Sequence, residues 1–97
     1  MTKLRKLARG QQCQVRIPGV CNWNNETTIL AHTPIKGLHG MGMKCPDLIG
    51  AWCCSSCHDV LDGRRKTQFT RDQIATYKFE GVIRTQGELI KMGAVKW

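Results

Sequence analysis

Apolar and polar positions alternate along this chain in patterns that change about every ten residues. In "TKLRKLAR" the apolar residues recur at helical spacing, so Leu4, Leu7 and Ala8 share a face, and Gly10 can cap the end. "CQVRI" reads as a short extended piece. "PGV" then turns the chain back to Cys21, because Pro18 presets φ and Gly19 tolerates a positive one. "NWNNE" is a polar loop, and the β-branched run "TTILAH" predicts a short strand ending near His32. From Thr33 to Pro46, three glycines and two prolines argue for a loop, and a loop that long in a small domain is often functional. "DLIGAW" predicts a second strand. "SSCHDVLD" predicts a short helix capped by Ser55 or Ser56 and ended by Gly63. After the basic link "GRRKTQF", Thr70 and Gln73 form a capping-box pattern opening a helix from Arg71 to about Met92. Gly81 and Gly87 work against that helix. No internal repeat is present.

These elements predict a small α+β fold in one domain over residues 1–97, with a core at about 11–65 and a C-terminal helical region at about 70–92. The chain has 97 residues, 41% hydrophobic and 23% charged, a globular balance. Chains this short bury a limited core and often add a metal or disulfides. A net charge of +8 favours a polyanionic partner, nucleic acid before an anionic membrane surface. No apolar run is long enough to span a bilayer, and "MTKLRKLARG" has no apolar stretch behind its basic residues, so it is not a secretory signal. The chain therefore reads as intracellular. In a reducing compartment its six cysteines point to metal rather than disulfides.

Cys54 and Cys57 form C-x2-C, a spacing that lets two thiolates reach one ion from a turn entering a helix. Cys13 and Cys21, with the "IPGV" turn between them, can supply the second pair. Four thiolates close a structural zinc site and leave no open position for chemistry. Quartets using Cys53 or His58 are the competing arrangements. Cys53 directly precedes Cys54 and its side chain should diverge. Cys45 lies in the glycine-rich loop. Both read as ordinary thiols.

His32 ends a predicted strand, and His58 follows the second cysteine of the C-x2-C. If Cys54 and Cys57 face the zinc, helical periodicity turns His58 roughly 100° away. It is then free to face the strand that carries His32. Two histidines and a carboxylate around a cleft in a basic protein suggest metal-assisted phosphodiester hydrolysis. One imidazole would activate water and the other would hold a divalent cation. Lys36, Lys44, Arg64, Arg65 and Lys66 suit contacts to phosphate, which confer affinity without reading sequence.

The order strand–"AH"–loop–strand–"CSSCHD" resembles the zinc-stabilised HNH (ββα-metal) endonucleases. More closely, "RKLARGQQCQVRIPGVCN", "ETTILAH", "GMGMKCPDLIGAW" and "CSSCHDVLDGR" resemble the YbcO-like nuclease family of lambdoid prophages, from Leu4 to Arg65 and more weakly beyond. The resemblance implies a treble-clef-like zinc ββα core and a nuclease activity inferred for the family from its fold. It also implies a phage-encoded protein in the cytoplasm of a bacterial host. By position, His32 matches the general base and His58 a ligand of the catalytic ion, Mg²⁺ or another divalent cation. Cys13, Cys21, Cys54 and Cys57 match the structural zinc ligands. Two departures stand out. Ala31 occupies the place where HNH enzymes often carry Asp or His, and "DLIGAW" lacks the middle Asn. Asp47 could orient His32 or take a metal position, and Asp59 is a second candidate carboxylate. His39 has no matching role.

The reading is a metal-dependent DNA endonuclease. Two alternatives remain: a non-catalytic zinc-stapled module that binds nucleic acid, and a phage adaptor using Trp23, Trp52 and Trp97 as an interface.

Overall fold

The two predicted strands pair with each other. In a computed structural model that describes residues 3–33 and 46–95, Ile29–His32 (β1) runs antiparallel to Gly50–Cys53 (β2). Ile29 lies opposite Cys53, and His32 opposite Gly50. Three helices complete a small α+β fold: Lys3–Leu7 (α1), Ser55–Leu61 (α2) and Arg71–Lys91 (α3). Both strands are shorter than "TTILAH" and "DLIGAW" suggest. Thr27 is taken by a 3-10 turn over Asn25–Thr27, whose Asn24 side chain accepts the Glu26 N–H. Asp47 and Leu48 lie in a turn before β2. The glycine-rich loop, with Lys36, His39, Lys44 and Cys45, lies outside the described residues, as does Trp97.

Because side chains alternate across a pleated strand, this small sheet has two distinct faces. Ala31, Ala51 and Cys53 turn into one cluster with Val15, Ile17, Val60, Val82 and three further cysteines. Leu30 and Trp52 turn into the other, against Ala8 and Leu89, with Leu4 and Leu7 of α1 packed on it. The outer edge of β2 is closed by side chain and loop rather than by a third strand. Trp52 donates its N–H to Thr85 Oγ1 (2.9 Å), and its carbonyl accepts the Gln14 N–H (2.8 Å). An edge satisfied in this way cannot recruit a foreign strand.

"CQVRI" is not evenly extended. Arg16 adopts φ 53°, which bends the segment so that Val15 and Ile17 both enter the core. Arg84 of α3 fixes the bend by donating to the carbonyls of Gln14 (2.8 Å) and Val15 (3.4 Å). The capping box of α3 is complete: Thr70 accepts the Gln73 N–H, and the Gln73 side chain accepts the Thr70 N–H. Gly81 does not weaken this helix so much as let it approach. A Cβ there would lie 2.8 Å from Val15 Cγ2 and 3.1 Å from Val15 Cα. Among the described residues no helix is long and apolar enough to cross a membrane.

Candidate metal centre and histidine pocket

The turn after Ile17 builds half of a metal centre. Val20 and Cys21 both donate their N–H to the Ile17 carbonyl, and Gly19 takes φ 73°, so the chain doubles back within four residues. This brings Cys21 beside Cys13. The loop after Cys21 is then tied to the start of α2. Asn22 Nδ2 donates to Ser55 Oγ (3.1 Å), and the Ser55 N–H donates to Thr27 Oγ1 (3.2 Å). The serines thus staple the loop rather than cap the helix. The N-cap is Cys54, whose sulfur accepts the Cys57 N–H at 3.4 Å.

The ligand atoms of Cys13, Cys21, Cys54 and Cys57 all lie within 4.8 Å of one another, and all but Cys21 are buried. Cys54 and Cys21 sulfurs are 3.8 Å apart, and none of the described cysteines forms a disulfide. The set fits a metal ion such as zinc. Without a cation, thiols this close cannot ionise together. Hydrogen bonds from the Cys53 and Cys57 thiols hold Cys13 far below the ordinary thiol range. The same hydrogen bond to Cys13 drives Cys57 far upward, while burial pushes Cys21 up to about 12. Negative charge on one sulfur opposes ionisation of the sulfurs beside it, a conflict that a dication would remove. Cys53 stays outside the quartet, as its spacing suggested. It is fully buried, donates to the Cys54 carbonyl (3.5 Å), and is pushed up by its hydrogen bond to Cys13.

The two histidines sit in separate groups. His32 shares the pleat of Leu30, on the face toward α1. Its Nε2 is 2.6 Å from Asp47 Oδ1, which also faces Arg5 Nε at 3.4 Å. Asp47 has an 8% exposed side chain, and its carboxyl is held below the usual range, first by the His32 hydrogen bond and then, against burial, by the Arg5 charge. An ionised carboxylate only accepts, so His32 Nε2 is the donor in this pair and Nδ1 is the ring nitrogen left facing away from Asp47. The other oxygen, Asp47 Oδ2, is buried without a hydrogen-bond partner among the described residues.

His58 belongs to α2, which packs on the opposite face of the sheet. Its Nε2 lies 3.3 Å from Asp62 Oδ2 and its Nδ1 3.3 Å from Arg64 Nη2. Arg64 also grips Asp59 (2.9 Å) and Asp62 (2.8 Å). Arg64 is therefore neutralised by its own neighbours. Arg65 and Lys66, by contrast, line a shallow pocket with Phe69, Arg71 and Ile74. No direct hydrogen bond joins His32 to His58. Two residues that the sequence reading passed over, Arg5 and Arg9, line a hollow with Thr28, Ile29, Leu30 and His32. Their i, i+4 spacing on the basic side of the first helix was the available signal.

Comparison with known proteins adds to this picture. The chain is 52% identical over 97 residues to the protein named "Putative nuclease YbcO" of Escherichia coli (strain K12), covering 99% of each chain. A protein of the same name from Enterobacteria phage 82 matches with the same identity and coverage. The solved structure described as that of a putative bacteriophage protein from E. coli str. K-12 substr. MG1655 superposes with a TM-score of 0.74 at 47% identity. The match covers 94% of this chain and all of that one. The family model described as "Putative nuclease YbcO" matches residues 2–94, and the chain belongs to that family.

Proposed function

We propose that this protein is an HNH-like DNA endonuclease in which a zinc held by Cys13, Cys21, Cys54 and Cys57 is structural and His32 is the general base. The observation that carries this reading is the His32–Asp47 pair, 2.6 Å long, set beside an arginine-lined hollow. The nuclease name of the relatives and the order β1, β2, α2 with its C-x2-C-H at the helix start support it.

Bound zinc would supply rigidity rather than reactivity, since four thiolates leave it no open position. The chemistry falls to the other face of the sheet. Asp47 accepts the Nε2 proton and fixes the ring, so Nδ1 can take a proton from water. The resulting hydroxide forms a bond to phosphorus as the bond to the leaving ester oxygen breaks, and that oxygen is protonated by solvent. The imidazolium formed meanwhile is stabilised by the ionised Asp47 carboxylate. Arg65 and Lys66 are the better placed DNA contacts of the basic link, because Arg64 is engaged by Asp59 and Asp62.

The HNH resemblance assigns His58 to a divalent cation such as Mg²⁺. Its donor set does not fit one as placed. Both ring nitrogens are engaged, one of them by a guanidinium, and Ala31 offers no donor. Among the described residues, the four cysteines form the one group of three or more His, Cys, Asp or Glu side chains close enough to share an ion. No step is routed through such an ion.

Supercoiled plasmid incubated with the zinc-loaded protein, with Mg²⁺, Mn²⁺ or chelator, tests the reading. Nicking should occur and should fall by roughly 10²-fold or more in His32→Ala, the usual contribution of a general base. Nicking unchanged in the variant removes His32 from the mechanism. Salt-sensitive DNA binding with no cleavage under any condition favours a non-catalytic zinc-stapled module, the reading that Ala31 and the engaged His58 support.

A further inference from the structure

The hollow between α1 and β1 has a volume of about 390 Å³ and is built from two arginines, one histidine and an apolar floor. Arg9 follows the helix, whose last turn continues through hydrogen bonds from Ala8 to the Arg5 carbonyl and from Arg9 to the Lys6 carbonyl. Continuing the turn keeps Arg5 and Arg9 on one side. The opposite side, with Leu4, Leu7 and Ala8, is packed on Leu30 and Trp52. Both arginines therefore border the hollow alongside β1.

Arg5 is held there by the same atom that holds His32. Asp47 Oδ1 faces Arg5 Nε and His32 Nε2 together. One edge of the Arg5 guanidinium is used in this way, and among the described residues no other acceptor takes its remaining N–H groups, which can serve a second one. Asp47 itself does not line the hollow. Two guanidinium charges against one recessed carboxylate leave a net positive site. It has planar, fork-shaped donors, suited to a singly charged phosphodiester.

We propose that this hollow is a phosphodiester-binding subsite, in which Arg5 and Arg9 seat one nucleic-acid backbone phosphate beside the His32 imidazole. The proposal deepens the nuclease reading and rests on it for the role of His32. It supplies what that reading lacks: a fixed cation for the phosphate that does not depend on His58. Exposed Ile29 would pack against the sugar rather than read a base, so binding is expected to be indifferent to sequence.

The test uses the full zinc-loaded chain, a labelled short DNA duplex and inorganic phosphate. The duplex should shift the NMR signals of the His32 ring and of the Arg5 and Arg9 Nε–H groups. Arg9→Gln should weaken duplex binding several-fold and reduce the slope of log affinity against log salt by about 0.9, the loss of one phosphate contact. Arg9→Lys should restore most of that slope, and the charge-matched control Lys91→Gln should leave it unchanged. Arg9 is exposed, so its replacement should not disturb folding; Arg5→Gln is the second variant, checked by its melting temperature. Wild-type affinity and slope in both variants overturn the subsite. So does a His32 response to inorganic phosphate but not to duplex, which would mark a free-anion site. Arginine-dependent binding without any plasmid nicking keeps the subsite and defeats the nuclease reading. Nicking with unaltered binding in both variants does the reverse.

Discussion

The two faces of the sheet solve opposite problems. On the face of Ala31, Ala51 and Cys53, four sulfurs converge within 4.8 Å, enclosed by Val15, Ile17, Val60 and Val82. Every position there is dictated by a neighbour: a turn closed on the Ile17 carbonyl, a helix capped by a ligand sulfur, a loop stapled through Asn22. On the face of Leu30, His32 is 25% exposed, pairs with a single carboxylate, and shares a hollow with Arg5 of α1 and Arg9 just beyond it. The buried face is over-determined and suits a structural ion. The open face leaves one edge of the His32 imidazole and two forks of N–H donors in reach of solvent. The four-cysteine cluster and the His32–Asp47 pair thus lie on opposite sides of one strand pair.

Removing the metal centre should produce the largest effect. Structural zinc in small domains contributes about 10–16 kcal/mol of apparent binding energy, so chelation or Cys57→Ala should unfold the chain, followed by circular dichroism. Metal analysis should find one zinc per chain; an unchanged melting temperature after complete demetallation would break the comparison at its root. Next comes Gly81→Ala. Its added methyl meets the Val15 backbone, not only a flexible side chain, and overpacking of this kind costs about 1–3 kcal/mol. Urea unfolding should register it while DNA binding by the folded fraction stays unchanged.

Thr70→Ala removes the hydroxyl half of the α3 capping box and should cost about 1 kcal/mol by the same urea measurement. A variant as stable as wild type would mean that α3 is held by its packing on β2 alone. Asp47→Asn addresses the open face and should be small in stability and larger in activity, since it loosens the ring and weakens support for the imidazolium. Its pH signature follows from a folded carboxyl held below the ordinary value of 3.8. The stability contributed by the charged carboxylate is fully present above about pH 4 and disappears as pH falls through the folded value. The gap between wild type and Asp47→Asn should therefore close as pH falls below about 4 and through the folded value. A gap that does not shrink at the most acid pH at which both proteins still fold would show that Asp47 is not the stabilised partner. The smallest effect should be Arg64→Gln: being already paired with Asp59 and Asp62, it should change duplex affinity far less than Arg65→Gln.

Much of the metal centre was legible because its information is local. Cys54 and Cys57 are joined by one turn, and Cys13 and Cys21 by a turn that Pro18 and Gly19 announce. The helix boundaries near Arg71 and Met92 were legible for the same reason, through Thr70 and Gln73. Local reasoning misassigned the cap of α2, because serine is the commoner N-cap and a sulfur serving as both cap and cluster member has no separate sequence mark. It also undervalued Gly81, since helix propensity registers the lost methyl but not the Val15 backbone waiting 3.1 Å away.

By itself, then, the sequence determined the basic charge, the two strands and the long capped helix in outline, and the two cysteine pairs, because composition and short-range spacing carry them. Only the tertiary structure decided the rest. It tied His58 to Asp62 and Arg64, joined His32 to Asp47 across fifteen residues, and set Arg5 and Arg9 alongside β1. Those partners meet because the pleat of a two-stranded sheet assigns Leu30 and Ala31 to opposite sides. Which helix covers each side is fixed by packing, and the spacing of residues along the chain carries no record of it.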